Sequence, residues 1–182
     1  DTIVSELTDT IVSELTDTIV SEPLQTNQFP EISKLLDDKI EFLLPILVRI
    51  NQLFTTLYEL SSFNKLWLNV SDCSHDNPDG SKMIFHLESK LDRHLVMACL
   101  QTGMYCLDLG MKDPNDIFLF MTTALFHDIG KPCSQTINTV YNHKAYRGHG
   151  WMGQVIWTKL MNEFSETLPE KYSLYFTAET HN

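Results

Sequence analysis

The stretch Asp113–Pro132, DPNDIFLFMTTALFHDIGKP, holds a helix start, an apolar helix body and a chemically loaded helix end in succession. Asp113-Pro114-Asn115-Asp116 predicts the start, with a capping carboxylate, a proline at the first helical position and another acid in the first turn. From Phe118 to Phe126 the residues are apolar nearly all round except Thr122 and Thr123, which predicts a central, buried helix. His127 and Asp128 close that helix and Gly130 ends it. A carboxylate and an imidazole at the end of the most apolar helix are costly unless a metal or a good hydrogen-bond network compensates them. The doublet places a nitrogen ligand beside an anionic oxygen ligand, with the Lys131 cation three residues on.

Working outward, the same 3.6-residue periodicity recurs on both sides. Between Glu31 and Phe63 the apolar residues Ile32, Leu35, Leu36, Ile40, Leu43, Leu44, Leu47, Ile50, Phe54 and Leu57 recur at helical spacing, and Pro45 predicts a kink or break. A helix from about Leu87 to Leu109 is expected to place Leu87, Leu91, His94, Ala98 and Tyr105 on one inward face. Another begins near Gly148, with His149, Met152, Gly153, Ile156 and Leu160 together and small Gly148, Gly150 and Gly153 allowing close backbone approach. In the last segment, Pro169 to His181, Leu174, Ala178 and His181 share a face. Asn69–Lys82 and Pro132–Arg147 read as loops, and His75 within the first of them reads as a solvated loop histidine. The expectation is an all-α fold in which His94, His149 and His181 converge on the His127-Asp128 pair.

Composition narrows the function classes. The chain has 182 residues, 43% hydrophobic and 10% aromatic, enough for one globular domain with a full core. Lys plus Arg number 13 against 24 Asp plus Glu, a formal net charge of −11, which argues against a broad basic face gripping nucleic acid. Cys73, Cys99, Cys106 and Cys133 show no CxxC spacing, so reduced thiols in an intracellular, cytoplasmic protein are expected rather than a zinc knuckle or disulfide framework. No membrane partner is expected, because Pro45, Arg49, Asn51 and Gln52 interrupt Leu43–Leu60. No signal peptide is visible either.

Residues 1–22 repeat DTIVSELT twice and then DTIVSE, a period far below the ~20 to 50 residues that build solenoids. Pro23 to Pro30, PLQTNQFP, reads as a linker. Residues 1–30 are therefore a low-complexity repeat and linker, and the helical domain is expected over 31–182.

The set His94, His127-Asp128 with the trailing Ile-Gly-Lys-Pro, Tyr146-Arg147-Gly148-His149 and His181 resembles the HD superfamily of metal-dependent phosphohydrolases. It looks most like the HD domains attached to tRNA nucleotidyltransferases and bacterial polynucleotide kinases. The resemblance covers about Lys90 to Asn182 and implies an HD-type helical bundle. It implies that His94, His127 and Asp128 hold a first divalent metal, that Asp128 bridges two metals, and that His149 and His181 hold the second. The donor set suits manganese, iron, nickel, cobalt or zinc better than calcium. Lys131 would meet a substrate phosphate as a point charge, with Arg147 and His143 as further substrate candidates. The implied reaction is removal of a phosphate, or opening of a cyclic phosphate, on a nucleotide or a polynucleotide end. Two alternatives stand beside it: a binding or regulatory module without turnover, and hydrolysis of nucleoside triphosphates, cyclic dinucleotides or alarmones.

The family pattern closes with an Asp on a later helix, and after Asp128 this chain contains no Asp. A C-terminally incomplete piece of a larger protein is therefore expected, with a kinase, ligase or nucleotidyltransferase domain beyond it.

Overall fold

The computed structural model describes residues 30–83 and 88–176. The repeat, most of the linker, Leu87, Ala178 and His181 lie outside the described residues. The chain divides into two compact units, Asp1–Thr55 and Thr56–Asn182, and helix α1 (Pro30–Leu57) runs through the boundary. Of the kink or break expected at Pro45, the break does not occur, since the helix continues through it. A long helix tolerates the hydrogen bond a proline removes, because its other turns remain bonded. By length and composition Lys34–Leu57, 24 residues, is apolar enough to cross a membrane, although the sequence argument weighed its polar interruptions against that. It is one such helix among the described residues, and the core helix of a globular domain can have the same length and apolar character.

The second unit is mostly helical. After a turn at Tyr58–Leu60 comes α2 (Ser61–Asp72), which takes in Asn69–Asp72 from the expected loop. Phe63, Trp67 and Val70, at four- and three-residue spacing, are buried and hold it. Helix α3 (Leu91–Asp108) starts later than predicted. Ser89 is in the left-handed region at φ 62°, which a helical residue cannot adopt, and Lys90 precedes the first turn in extended conformation. The buried stripe of α3 is Leu91, Leu95, Cys99, Gly103 and Cys106, whereas Tyr105 is exposed, so the inward face is rotated from the expected one.

Helix α4 (Pro114–Phe126) begins as predicted, with the Asp113 carboxylate accepting from the Asn115 backbone N–H at 2.8 Å. It packs along α3 and buries Ile117, Phe118, Met121, Thr122, Leu125 and Phe126. It is not buried all round, because Leu119 and Phe120 face solvent. A single turn, α5 (Lys131–Ser134), follows.

The expected loop 132–147 then contains an antiparallel hairpin, β1 (Gln135–Asn138) and β2 (His143–Tyr146), with Gln135 opposite Tyr146 and Asn138 opposite His143. Asn138 Oδ1 accepts from the backbone N–H groups of Val140 and Tyr141, and Asn142 takes the left-handed conformation that its short polar side chain tolerates. The unit ends with α6 (His149–Thr167) and α7 (Pro169–Phe176). In α7 Leu174 is exposed, contrary to its expected inward position. Tyr172 and Phe176 pack on Phe164 of α6, and Tyr175 stacks on Phe118 of α4.

A candidate metal centre at the end of helix α4

The turn that follows α4 is anchored on both sides. Phe126 lies against Trp157 of α6 at 4.8 Å between ring centroids and meets Phe63 and Trp67 of α2 edge-on. Ile129 is fully buried. Between these two apolar anchors the backbone has little freedom, and Asp128 is held inward at 4% exposure.

Three imidazoles and one ammonium converge on this carboxylate. Asp128 Oδ2 lies 2.7 Å from Lys131 Nζ, 3.1 Å from His127 Nε2 and 3.6 Å from His94 Nε2. Oδ1 lies 3.2 Å from His149 Nε2. Each imidazole is fixed from behind at its other nitrogen. His94 Nδ1 donates to Glu88 Oε1 at 2.8 Å, His127 Nδ1 to the Ala124 carbonyl at 2.7 Å and His149 Nδ1 to the Tyr146 carbonyl at 2.6 Å. A carbonyl or carboxylate only accepts, so the Nδ1 positions carry protons and the Nε2 atoms are directed at Asp128, as donors to it where the ring is also protonated there and as free lone pairs for a cation where it is not.

Electrostatics follow from this arrangement. Burial pushes the Asp128 carboxyl up, but hydrogen bonds from His127, His94 and Lys131 together outweigh it and hold the group far below the ordinary carboxylate range. His127 is raised, first by its hydrogen bond to Asp128, against a smaller opposing effect of burial. An imidazole that donates from Nε2 to Asp128 would have to give up that proton to a divalent ion bound between them.

His94, His127 and Asp128 could hold a single ion: one ligand atom from each lies within 4.8 Å of the others, and Nε2 is the ring nitrogen that faces the carboxylate in both histidines. Two imidazoles and a carboxylate are a donor set for transition metals, and the Nδ1 partners provide the outer support that metal-bound histidines ordinarily have. His149 Nε2 and Asp128 Oδ1 offer two ligands on the opposite edge of the carboxylate. The sequence placed His181 there as well, and that residue lies outside the described ones.

The close backbone approach expected at the α6 glycines is made by Gly153, which lies against Gly130, and Gly130 is the position that leaves no room for a side chain. Its φ is ordinary, −80°, but a Cβ there would lie 2.2 Å from the His149 carbonyl and 2.5 Å from the Gly153 backbone nitrogen. Gly130 therefore lets the first turn of α6, and His149 with it, lie against the Asp128 turn. Gly150 faces open space, and Gly148 is required by its left-handed φ of 75° at the start of α6.

The remaining expected residues are placed differently. Lys131 is 5% exposed and directed at Asp128, with its Nζ 5.5 Å from the Tyr146 ring centre. Arg147 is exposed. In β2, Lys144 and Tyr146 both donate to the Ser74 carbonyl, at 2.6 and 3.1 Å, so strand alternation turns His143 to the other side.

Two residues of the site were missed in the sequence. His75 is fully buried instead of solvated: its loop is tied to the chain before α3 by a bridge between Ser74 and Lys90 and by the His75 N–H on the Ser89 carbonyl. Glu88, which supports His94, precedes the left-handed Ser89 in the same connection. A polar loop rich in Asp, Asn and Gly carries no local signal that its first residues are covered by a distant hairpin. No family model, curated protein or solved structure matches the chain.

Proposed function

We propose that the chain is a metal-dependent phosphohydrolase of the HD superfamily, acting on a phosphate of a nucleotide or a polynucleotide end. One observation carries this reading: a single buried carboxylate receives three imidazole Nε2 atoms, and each imidazole is fixed by a partner at Nδ1. His94, His127 and Asp128 would hold one divalent transition metal, and Asp128 with His149, joined by His181, a second. Such ions polarise a phosphoryl oxygen and lower the pKa of a water enough for it to attack phosphorus at neutral pH.

This chain's own side chains supply the rest. Asp128 forms the floor, while the side chains of His127 and His149, each 38% exposed, open the site to a substrate. Lys131 balances the negative charge of Asp128 from the buried side, which makes it a support for the carboxylate before it is a phosphate ligand. Arg147, exposed and beside Gly148, is a cation that could meet a phosphate tail. A net charge of −11 favours a small nucleotide or a strand terminus over the interior of a duplex. Four cysteines without CxxC spacing suit an intracellular setting.

Purified protein stripped of metal and reloaded with Mn²⁺ is to be assayed on nucleoside monophosphates, 2′,3′-cyclic nucleotides and 3′-phosphorylated oligonucleotides. The proposal expects Mn²⁺-dependent phosphate release, or ring opening, that Asp128→Ala abolishes. Metal binding without turnover on any of these substrates would favour a regulatory module, and turnover unchanged in Asp128→Ala would remove Asp128 from the reaction.

A further inference from the structure

Behind the metal-facing side of the cluster lies a histidine that the phosphohydrolase reading does not use. His75 comes 56 residues before Lys131, is fully buried, and has its Nε2 3.1 Å from Lys131 Nζ. An ammonium has donors only, so His75 Nε2 accepts and its proton lies on Nδ1. Glu88 Oε1, 3.7 Å from that Nδ1, favours the same tautomer. The ring is held in place from several directions. His94 and Tyr146 meet it edge-on at 5.5 and 5.8 Å, and its backbone N–H donates to Ser89 O at 2.6 Å.

Lys131 is thus shared between two acceptors, His75 Nε2 and Asp128 Oδ2. The same Oδ2 faces the Nε2 atoms of His94 and His127, so an ion there and the ammonium compete for one oxygen. An ammonium held by the carboxylate alone would follow it and screen its charge from the ion. One anchored to a rigid imidazole stays at one edge.

We infer that His75 is a positioning residue: it fixes the Lys131 ammonium at the buried edge of Asp128 and leaves the remaining carboxylate lone pairs to the metal side. The pairing itself is independent of the proposed function, whereas its effect on metal binding rests on that reading. Glu88 extends the arrangement into a ring, because its Oε1 supports His94 and faces His75.

The test uses the full chain and four variants, His75→Leu, His75→Gln, Lys131→Met and the His75→Leu/Lys131→Met double variant. Mn²⁺ affinity is measured by calorimetry and urea unfolding after treatment with EDTA. Gln places Oε1 where Nε2 stands, so His75→Gln is expected to stay within about twofold of wild type in affinity. His75→Leu is expected to weaken Mn²⁺ binding about tenfold, the lower end of what loss of an outer-shell partner does. In the Lys131→Met background His75→Leu should then change the affinity little, because the histidine acts through the lysine. Equal losses in His75→Gln and His75→Leu, or the same loss with and without Lys131, would reduce His75 to a packing residue and overturn the inference. Should wild type bind no Mn²⁺, the metal-centre reading falls, and the urea cycle alone decides the pairing. Non-additive losses in urea midpoint uphold it and additive losses overturn it. Should His75→Leu not fold, His75→Asn, whose oxygen stops short of the Nε2 position, replaces it.

Discussion

Gly130→Ala probes how closely the ligand-bearing elements must approach. The new methyl carbon would lie 2.2 Å from the His149 carbonyl oxygen and 2.5 Å from the Gly153 nitrogen, and both are backbone atoms that no rotamer change can remove. Opening the shorter contact to the 3.0 Å below which real Cβ contacts essentially never fall requires a shift of about 0.8 Å, the difference between the two distances. That shift separates the α6 start from the Asp128 turn and lengthens the 3.2 Å approach of His149 Nε2 to Asp128 Oδ1. Overpacking of this kind costs about 1–3 kcal/mol, and a metal ligand moved by most of an ångström loses its geometry. Gly150→Ala is the control, since a Cβ there meets nothing within 4 Å and alanine in a helix is favoured over glycine by about 0.5–1 kcal/mol. Urea unfolding monitored by circular dichroism is expected to show Gly130→Ala destabilised and Gly150→Ala unchanged or stabilised. A Gly130→Ala protein as stable as wild type would refute the close approach of α6 to the Asp128 turn.

Three further outcomes can be checked. Asp128→Asn leaves the Lys131 ammonium buried without its counter-charge, and breaking a buried pair costs about 3–5 kcal/mol. A compensating Lys131→Met is expected to restore much of that loss in a urea titration, and a double variant less stable than both singles would contradict the pairing. In metal-free protein the lowered Asp128 contributes stability that is present above the ordinary carboxylate value of 3.8 and is lost as pH falls through its folded value. The raised His127 contributes stability that is present below 6.5 and is lost as pH rises through its folded value. Unfolding free energy measured in EDTA should therefore decline as pH rises past 6.5, with a slope that Asp128→Asn flattens; equal slopes would detach His127 from Asp128. Burial pushes the Cys99 thiol up to about 12, whereas Cys133 is exposed. A thiol reagent followed by peptide mass spectrometry should label Cys133 in native protein and Cys99 only after unfolding, and early labelling of Cys99 would place it at the surface.

The parts of the fold that were legible in the sequence are those fixed by local chemistry. Asp113-Pro114 marks the start of α4 through backbone hydrogen-bond rules that need no tertiary contact. The helical character of α1, α3 and α6 likewise follows from spacing alone. The inward face of α3 was displaced because Cys99, Gly103 and Cys106 carry the packing while the larger Tyr105 stays in solvent. The hairpin β1–β2 escaped because its four-residue strands are mostly polar, with β1 largely exposed and β2 half-buried, so neither shows an apolar alternation. His75 escaped for a tertiary reason, as Lys131, Tyr146 and the Ser74–Lys90 bridge that enclose it come from distant parts of the chain. Of the candidate ligands, His94, His127, Asp128 and His149 meet, and their convergence was expected from helix faces. Their Nδ1 partners were not, because they are backbone carbonyls and a loop carboxylate.

The central claim is that the Asp128 cluster is a metal centre. Anomalous diffraction from a crystal grown with Mn²⁺ tests it most directly. The account predicts a peak about 2.0–2.3 Å from Nε2 of His94, Nε2 of His127 and a carboxylate oxygen of Asp128, within the bond lengths usual for such ligands, with Lys131 Nζ remaining beside His75. A crystal that shows manganese elsewhere and none at this cluster, with the imidazole nitrogens still donating to Asp128, would contradict it.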